Sequence, residues 1–319
     1  MLFTEDAAVP NSKSKVINFM AMRKGAYAFS ALLLLISIAS LATRGLEFGL
    51  DFTGGVLVEV EFGEQPDLDV IRSSLEANGL VGGQVQNFGG IKDVLVRMPP
   101  NETVESADIS NKILGVFETL SFGDVDMRRV EYVGPQVGEE LRDQGGLAVL
   151  YALFGIVIYV WFRFERKFSF GSVLALTHDV LITLGFFSLT GIDFDLNVLA
   201  AILAVIGYSL NDTIVVFDRI REAFISVRED DPANTINQAI TDTLGRTIMT
   251  SLTTLIVLIV LVTLGGETVF SFAAALICGV LVGTYSSIFV ASSFVLTMGV
   301  KREDLVPEEK AIEAEEYMP

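Results

Sequence analysis

Apolar residues along the chain gather into six long runs, at 27–43, 146–162, 170–190, 196–217, 247–264 and 269–298. Each holds 17 or more residues with few or no charges. That is the length a helix needs to cross about 30 Å of hydrocarbon. The last run is longer than a span requires and is expected to tilt or to continue into water.

Between the first and second runs the pattern changes period. VLVEVEF (56–62) alternates like a half-buried strand. PDLDVIRSSLEANG (66–79) has Pro near its start, apolar residues at helical spacing and Asn-Gly at its end, as a capped helix should. QVQNF (84–88) and KDVLVRM (92–98) predict two strands split by Gly89 and Gly90. SADISNKILGVFETL (106–120) predicts a second amphipathic helix and VDMRRVEYV (125–133) a last strand. The order βαββαβ points to a ferredoxin-like split βαβ domain. The expected fold class is therefore a polytopic α-helical membrane protein of six transmembrane helices, with one small α+β domain between helices 1 and 2.

Positive charge orients the spans. Lys13, Lys15, Arg23 and Lys24 precede the first; Arg163, Arg166 and Lys167 follow the second. Arg219, Arg221, Arg228 and Arg246 lie between the fourth and fifth, and Lys301 and Arg302 follow the sixth. The short turns GIDFD (191–195) and GGET (265–268) have no Lys or Arg. Lys and Arg favour the cytoplasmic side, so both termini are expected there, with the inserted domain outside, in the periplasm. The expected division is a cytoplasmic segment 1–25, helix 1 at 26–43, the α+β domain at 44–143, helices 2–6 at 144–298 and an acidic cytoplasmic tail at 299–319. The first run follows a polar stretch and has no A-x-A site, so a retained anchor is expected.

Composition agrees: 51% of residues are hydrophobic and the mean hydropathy is +0.54. The net charge of −18 owes much to Glu303, Asp304, Glu308, Glu309, Glu313, Glu315 and Glu316 in the tail, read as solvated. Acidic balance argues against a nucleic-acid partner. Cys278 is the sole cysteine and His178 the sole histidine, which excludes an intramolecular disulfide and a zinc site of the usual kind. GLDFTGGV (49–56) has glycines but no Lys, and no GxxxxGK[ST] occurs, so nothing indicates ATP binding. No cofactor and no catalytic metal are expected.

Charge within a span is costly, about 2.5–3.5 kcal/mol for an Asp at mid-helix, so such residues are candidate functional groups. The fourth run carries Asn211 and Asp212 before its expected end, with Asp218 and Arg219 read as a solvated helix boundary. The third carries His178 and Asp179, and Ser172, Asp179 and Thr183 fall on about one face. The fifth opens with Arg246; Arg246, Thr250 and Thr254 share one face and Thr247, Ser251 and Thr254 the next. Turned inward, these faces would enclose a polar site. Ser and Thr in membrane helices also bond to backbone or simply pack. Gly54, Gly55 and Gly207 are read as structural, and Gly279 with Gly283 as a small-xxx-small packing pair. An aspartyl protease dyad of Asp179 and Asp212 lacks the Gly-x-Gly-Asp signature, since Asp212 follows Ser-Leu-Asn. Ion handling is the better use: burial favours the neutral form of a carboxyl and a nearby Arg the charged one. The coupling ion, H⁺ or Na⁺, stays open.

GLDFTGG (49–55), VEYVGPQVG (130–138), ALTHDVLIT (175–183), GYSLNDTIVVFDRIRE (207–222) and TLGRTIMTSLTT (243–254) resemble the bacterial SecF family of protein-export membrane proteins, within the resistance-nodulation-division superfamily. The resemblance covers nearly the whole chain. It implies a partner, SecD, and work beside the SecYEG translocon, with YajC and YidC as further neighbours. It implies that the proton- or sodium-motive force draws translocating unfolded polypeptides out after SecA has pushed them in. It implies an ion path through Asp212 and Arg246, with a further Asp from SecD, in the lipid of the cytoplasmic (inner) membrane. Two other functions remain: a small-molecule or lipid exporter of the same superfamily, and a passive scaffold for translocon assembly.

Overall fold

A computed structural model of the protein describes residues 16–100, 106–226 and 231–305. Six of its helices are long and apolar enough to cross a membrane. They are α1 (Arg23–Thr43), α5 (Pro135–Arg163), α6 (Arg166–Thr190), α7 (Leu196–Ser226), α8 (Pro232–Leu264) and a sixth made of α9 (Glu267–Ser286), a π-helical turn Ser287–Ala291 and α10 (Ser292–Thr297). The predicted tail acids Glu308, Glu309, Glu313, Glu315 and Glu316, with Lys13, Lys15 and Arg228, lie outside the described residues.

Local chemistry sets the helix ends. Pro232 opens α8 behind Asp231, whose side chain accepts from the Ala233 amide at 3.0 Å. Gly191 ends α6 in the left-handed conformation, φ 67°. The fourth span runs past its expected end at Phe217 as far as Ser226, because Phe217, Ile220, Ala223 and Phe224 continue the buried stripe at helical spacing. Asp218 and Arg219 are accordingly not a helix boundary. Arg163 donates to both carboxylate oxygens of Asp218 at 2.8 and 2.7 Å, and Arg219 bonds Asp242 and Glu222. Arg221–Glu165 at 2.7 Å completes a belt of ion pairs around one end of the bundle. These pairs are half-exposed, so each contributes about 0–1 kcal/mol and serves chiefly to set register.

Helices α6, α7 and α9–α10 form the interior, with α1, α5 and α8 outside. Small residues permit the close approach. A Cβ on Gly279 would stand 2.1 Å from Val205, and one on Gly185 2.2 Å from Ser37. The Gly279/Gly283 pair thus packs on α7, as small residues do in membrane bundles. Gly207 meets no neighbour and has no such role. At the belt end, Phe19 and Met20 pack in one cluster with Phe164, Phe168, Ile236 and Ile240, and the Met20 amide donates to Asn237 Oδ1 at 2.9 Å.

The segment between α1 and α5 folds as a short helix α2 (Leu50–Thr53), β1 (Gly55–Phe62), α3 (Leu68–Ala77), β2 (Gln84–Phe88), β3 (Gly90–Met98), α4 (Ser106–Glu118) and β4 (Val125–Val133). The sheet is antiparallel throughout, in the order β2-β3-β1-β4. Val58, Val60, Val94 and Val96 close with Ile71, Leu75, Ile113 and Phe117 into a core between sheet and helices. On the opposite face Leu57 and Leu95 close over Leu50.

That second face meets the bundle through GLDFTGG. The Gly49 amide donates to Phe194 O at 2.8 Å, and the Phe194 amide to Glu47 O at 2.7 Å. Asp51 Oδ2 accepts from the Leu196 amide, the first residue of α7, at 3.0 Å. Arg97 of β3 grips both oxygens of Asp193. Gly54 and Gly55 have φ of 69° and 122°, and a Cβ on Gly55 would lie 2.2 Å from Met98 O, so only glycine fits. Asp195 accepts from the Val198 amide at 2.8 Å. Burial, reinforced by the like charges of Asp51 and Asp193, pushes the Asp195 carboxyl above the usual carboxylate range despite that bond.

Gly279→Ala and Gly55→Ala are each expected to cost about 1–3 kcal/mol through overpacking. Gly207→Ala should be neutral or stabilising by up to about 1 kcal/mol. Thermal unfolding in detergent compares the three, and equal melting temperatures would contradict the packing. Asp195 binds its proton more tightly folded than unfolded, so its ionisation penalises the fold above its folded pKa. That penalty fades as pH falls toward the ordinary carboxylate range. Asp195→Asn, which keeps an acceptor for Val198, should therefore melt higher than the parent at neutral pH, with the gap closing on acidification. A gap that widens in acid would reverse the sign and refute the assignment.

Candidate functional site

Two polar clusters lie inside the apolar bundle. The first centres on α6, whose inner face carries Ser172, Asp179 and Thr183, all buried, with His178 beside them. Asp179 is 0% exposed. Its Oδ1 meets His178 Nδ1 at 2.8 Å, and its Oδ2 accepts from Ser209 of α7 at 2.5 Å and Ser286 of α9 at 2.6 Å. His178 Nε2 meets Ser30 of α1 at 3.2 Å. Ser30 Oγ meets Tyr285 Oη at 3.1 Å, and Tyr285 donates to Ala26 O at 2.8 Å. Four helices are thus joined through one buried carboxylate, whose oxygens are fully engaged, as a charge or dipole in low dielectric requires.

The second cluster lies between α7 and α8. Tyr208 donates to Ser251 Oγ at 3.2 Å, and Ser251 meets Thr284 Oγ1 at 2.6 Å and bonds Thr247 O at 2.9 Å. The two helices are antiparallel neighbours, tied again at Arg219 and Asp242. One turn beyond Tyr208 is Asp212; one turn before Ser251 is Thr247, in matching register. Asp212 is 4% exposed, and among the described residues no donor reaches its carboxylate. Asp212 Oδ2 and Thr247 Oγ1 are both buried without a partner. Arg246 is within electrostatic reach of Asp212 but beyond ion-pair distance. The two carboxylates therefore differ in kind: Asp179 is fully satisfied, while Asp212 is buried and open.

Several sequence expectations need correction. Asn211 does not face inward with Asp212. It is exposed on the bundle's outer surface, since successive helix positions diverge by about 100°. Arg246, Thr250 and Thr254 do share a face, but it points outward, with Thr250 and Thr254 bonding only to backbone of their own helix. Of the polar residues between Arg246 and Thr254, Thr247 and Ser251 face in. Sequence reasoning missed Ser30, Tyr208, Ser209, Thr284, Tyr285 and Ser286. Ser209 could have been found, because it lies three positions before Asp212 and shares its face.

The comparisons with known proteins agree with one another. The family description "Protein export membrane protein SecD/SecF, C-terminal" matches residues 114–301, and "SecD/SecF GG Motif" matches residues 39–65, the segment that joins α1 to β1. Protein translocase subunit SecF of Vibrio alginolyticus is 48% identical over 95% of this chain and 96% of its own length. The subunit of the same name from Desulfurispirillum indicum is 55% identical over 86% of this chain and 90% of its own. Among solved structures, SecDF of Thermus thermophilus, described as a translocon-associated membrane protein, superposes with TM-score 0.80 at 36% identity over 89% of this chain. This chain spans 39% of that longer one. A SecDF structure described as the super-membrane-facing form superposes at 0.66 and 35% identity, covering 95% of this chain and 40% of its own. The chain belongs to the SecD/SecF family of protein export membrane proteins, and within it to the SecF subunits.

Proposed function

We propose that this chain works with SecD beside the SecYEG translocon, with YajC and YidC as further neighbours, and uses a proton- or sodium-motive force to promote the late steps of protein export. The observation that carries the ion-coupling part is Asp212. A carboxylate buried between two helices with an unpartnered oxygen is where a proton or cation would bind, because leaving such a group unsatisfied costs about 1–3 kcal/mol or more. Arg246 supplies a charge whose approach or retreat would change that binding. Its outward face, with Asn211, Thr250 and Thr254, suits an interface with SecD, which would add a carboxylate. The length of the solved SecDF chains, more than twice the portion matched, supports such a partner.

The antiparallel strand order β2-β3-β1-β4 supports reading the inserted domain as a ferredoxin-like split βαβ unit. In the proposed orientation it stands in the periplasm above the inner membrane, with both termini in the cytoplasm, and acts on the emerging unfolded polypeptide. One charge moved through 100 mV supplies about 2.3 kcal/mol, so a few ions per cycle suffice for a rigid-body swing. The SecDF structure described as the super-membrane-facing form superposes less well than SecDF of Thermus thermophilus, 0.66 against 0.80, which is consistent with such movement.

Asp212→Asn should abolish ion-gradient-stimulated export from inverted vesicles containing this chain and SecD, while co-purification with SecD stays intact. Proton and sodium gradients imposed separately identify the ion. Parental export by the variant under both gradients would rule out coupling through Asp212 and leave the passive scaffold.

A further inference from the structure

The Asp179 cluster contains more hydrogen-bond contacts than its hydroxyls can supply hydrogens. Three contacts run in series: His178 Nε2 to Ser30 Oγ, Ser30 Oγ to Tyr285 Oη, and Tyr285 Oη to Ala26 O. A carbonyl has no hydrogen, so Tyr285 gives its own to Ala26 O. Ser30 then gives its own to Tyr285 Oη. The third hydrogen must come from the imidazole, which places one on Nε2. At the other end of the ring, Nδ1 faces Asp179 Oδ1 at 2.8 Å, a contact that needs a hydrogen of its own. It is carried either by Nδ1, giving imidazolium beside carboxylate, or by Oδ1, giving neutral imidazole beside carboxylic acid. Both carry one proton more than a carboxylate beside a neutral imidazole.

We infer that Asp179 and His178 form a buried proton-binding site, loaded with one proton between Oδ1 and Nδ1, and that Tyr285 fixes this state through Ser30. A net charge of zero suits the location: His178 is 3% exposed and Asp179 0%, and an isolated charge there would be heavily penalised. The titratable groups facing the pair are Tyr285, stacked on the imidazole at 6.2 Å, and Cys278, both from α9; Ser30 faces it from α1 and Ser209 from α7. The ligand is a proton and not a metal cation. Hard cations need oxygen lone pairs directed at them, whereas Oδ2 already accepts from Ser209 and Ser286 and Oδ1 is taken by the ring. The site differs from Asp212 in this respect and would exist in a bundle that coupled no ion, so failure of the Asp212 export test leaves it standing.

His178 is the only histidine, so ring-nitrogen NMR on the full chain in lipid nanodiscs, with histidine as the sole labelled residue, reads this site alone. The expected parent spectrum has Nε2 bonded to hydrogen and Nδ1 in a strong hydrogen bond. In Tyr285→Phe the Ser30 hydrogen is freed to turn toward the ring, and the Nε2 signal should move to that of a bare acceptor. A merely packing role for Tyr285 would not change the tautomer. In Asp179→Asn the shared proton is lost: the ring should be neutral, with Nε2 still bearing hydrogen and Nδ1 out of the strong hydrogen bond it makes in the parent. A bare Nε2 in the parent, or a spectrum unmoved by Tyr285→Phe in protein that melts cooperatively, overturns the inference. Should Tyr285→Phe fail to fold, the parent and Asp179→Asn spectra decide alone: a ring with Nε2 bonded to hydrogen in both, and Nδ1 changed between them, supports it, and identical spectra refute it.

Discussion

The bundle depends on how it accommodates the Asp179 carboxylate. An apolar interior tolerates such a group only when donors surround it, and here they come from three helices, with α1 attached through the imidazole. Each donor must be close, and so must its helix. Gly283 stands against Ser209 and Gly279 against Val205, where any larger residue would push α9 off α7. The π-helical turn begins directly after Ser286. The extra residue it accommodates lets α9 present Ser286 to Asp179 while α10 presents Val295 to the phenylalanine cluster. Packing and polar satisfaction are thus one constraint, because the small residues set the distances that the hydroxyls need.

The outer joint obeys a similar rule. The domain could not be held by apolar contact alone, since its lower sheet face mixes Leu57 and Leu95 with Glu59, Glu61 and Arg97. Backbone bonds between Glu47–Gly49 and Phe194, and the Arg97–Asp193 pair, supply direction. Gly54 and Gly55 turn the chain from this anchor into β1 with no room for side chains.

Much of this was legible in sequence. Six spans, two domain helices and four strands follow from period and length, and the buried carboxylates from their cost. The orientation of individual residues was less legible where a helix is apolar all round. In α8 the isoleucines and threonines surround the axis, so spacing alone could not say whether Thr247 and Ser251 or Thr250 and Thr254 face inward; contact with Tyr208 and Thr284 decides it. Helix α7 runs beyond its expected end because charged residues need not end a span. Asp218 and Arg219 find partners on α5 and α8 instead, and the helix continues. Ser286 on Asp179 and Ser30 on His178 are not legible in sequence, because both are remote in the chain and become neighbours only through packing.

These features make α7 the direct structural connection between the candidate site and the inserted domain. Its first amide is held by Asp51, its middle carries Ser209 on Asp179 and Asp212 on α8's side, and its far end is fixed by ion pairs to α5 and α8. At about 1.5 Å per residue, its 31 residues form one rod spanning the whole bundle. If Asp212 binds the coupling ion as proposed, a change in its occupancy would alter the contact between α7 and α8 midway along that rod. The belt pairs set the register of one end, so in the proposed function the displacement would be read at the other end, held by Asp51 and the Phe194 backbone. On that proposal, the joint is where a change in the bundle's charge would become a change in the domain's position.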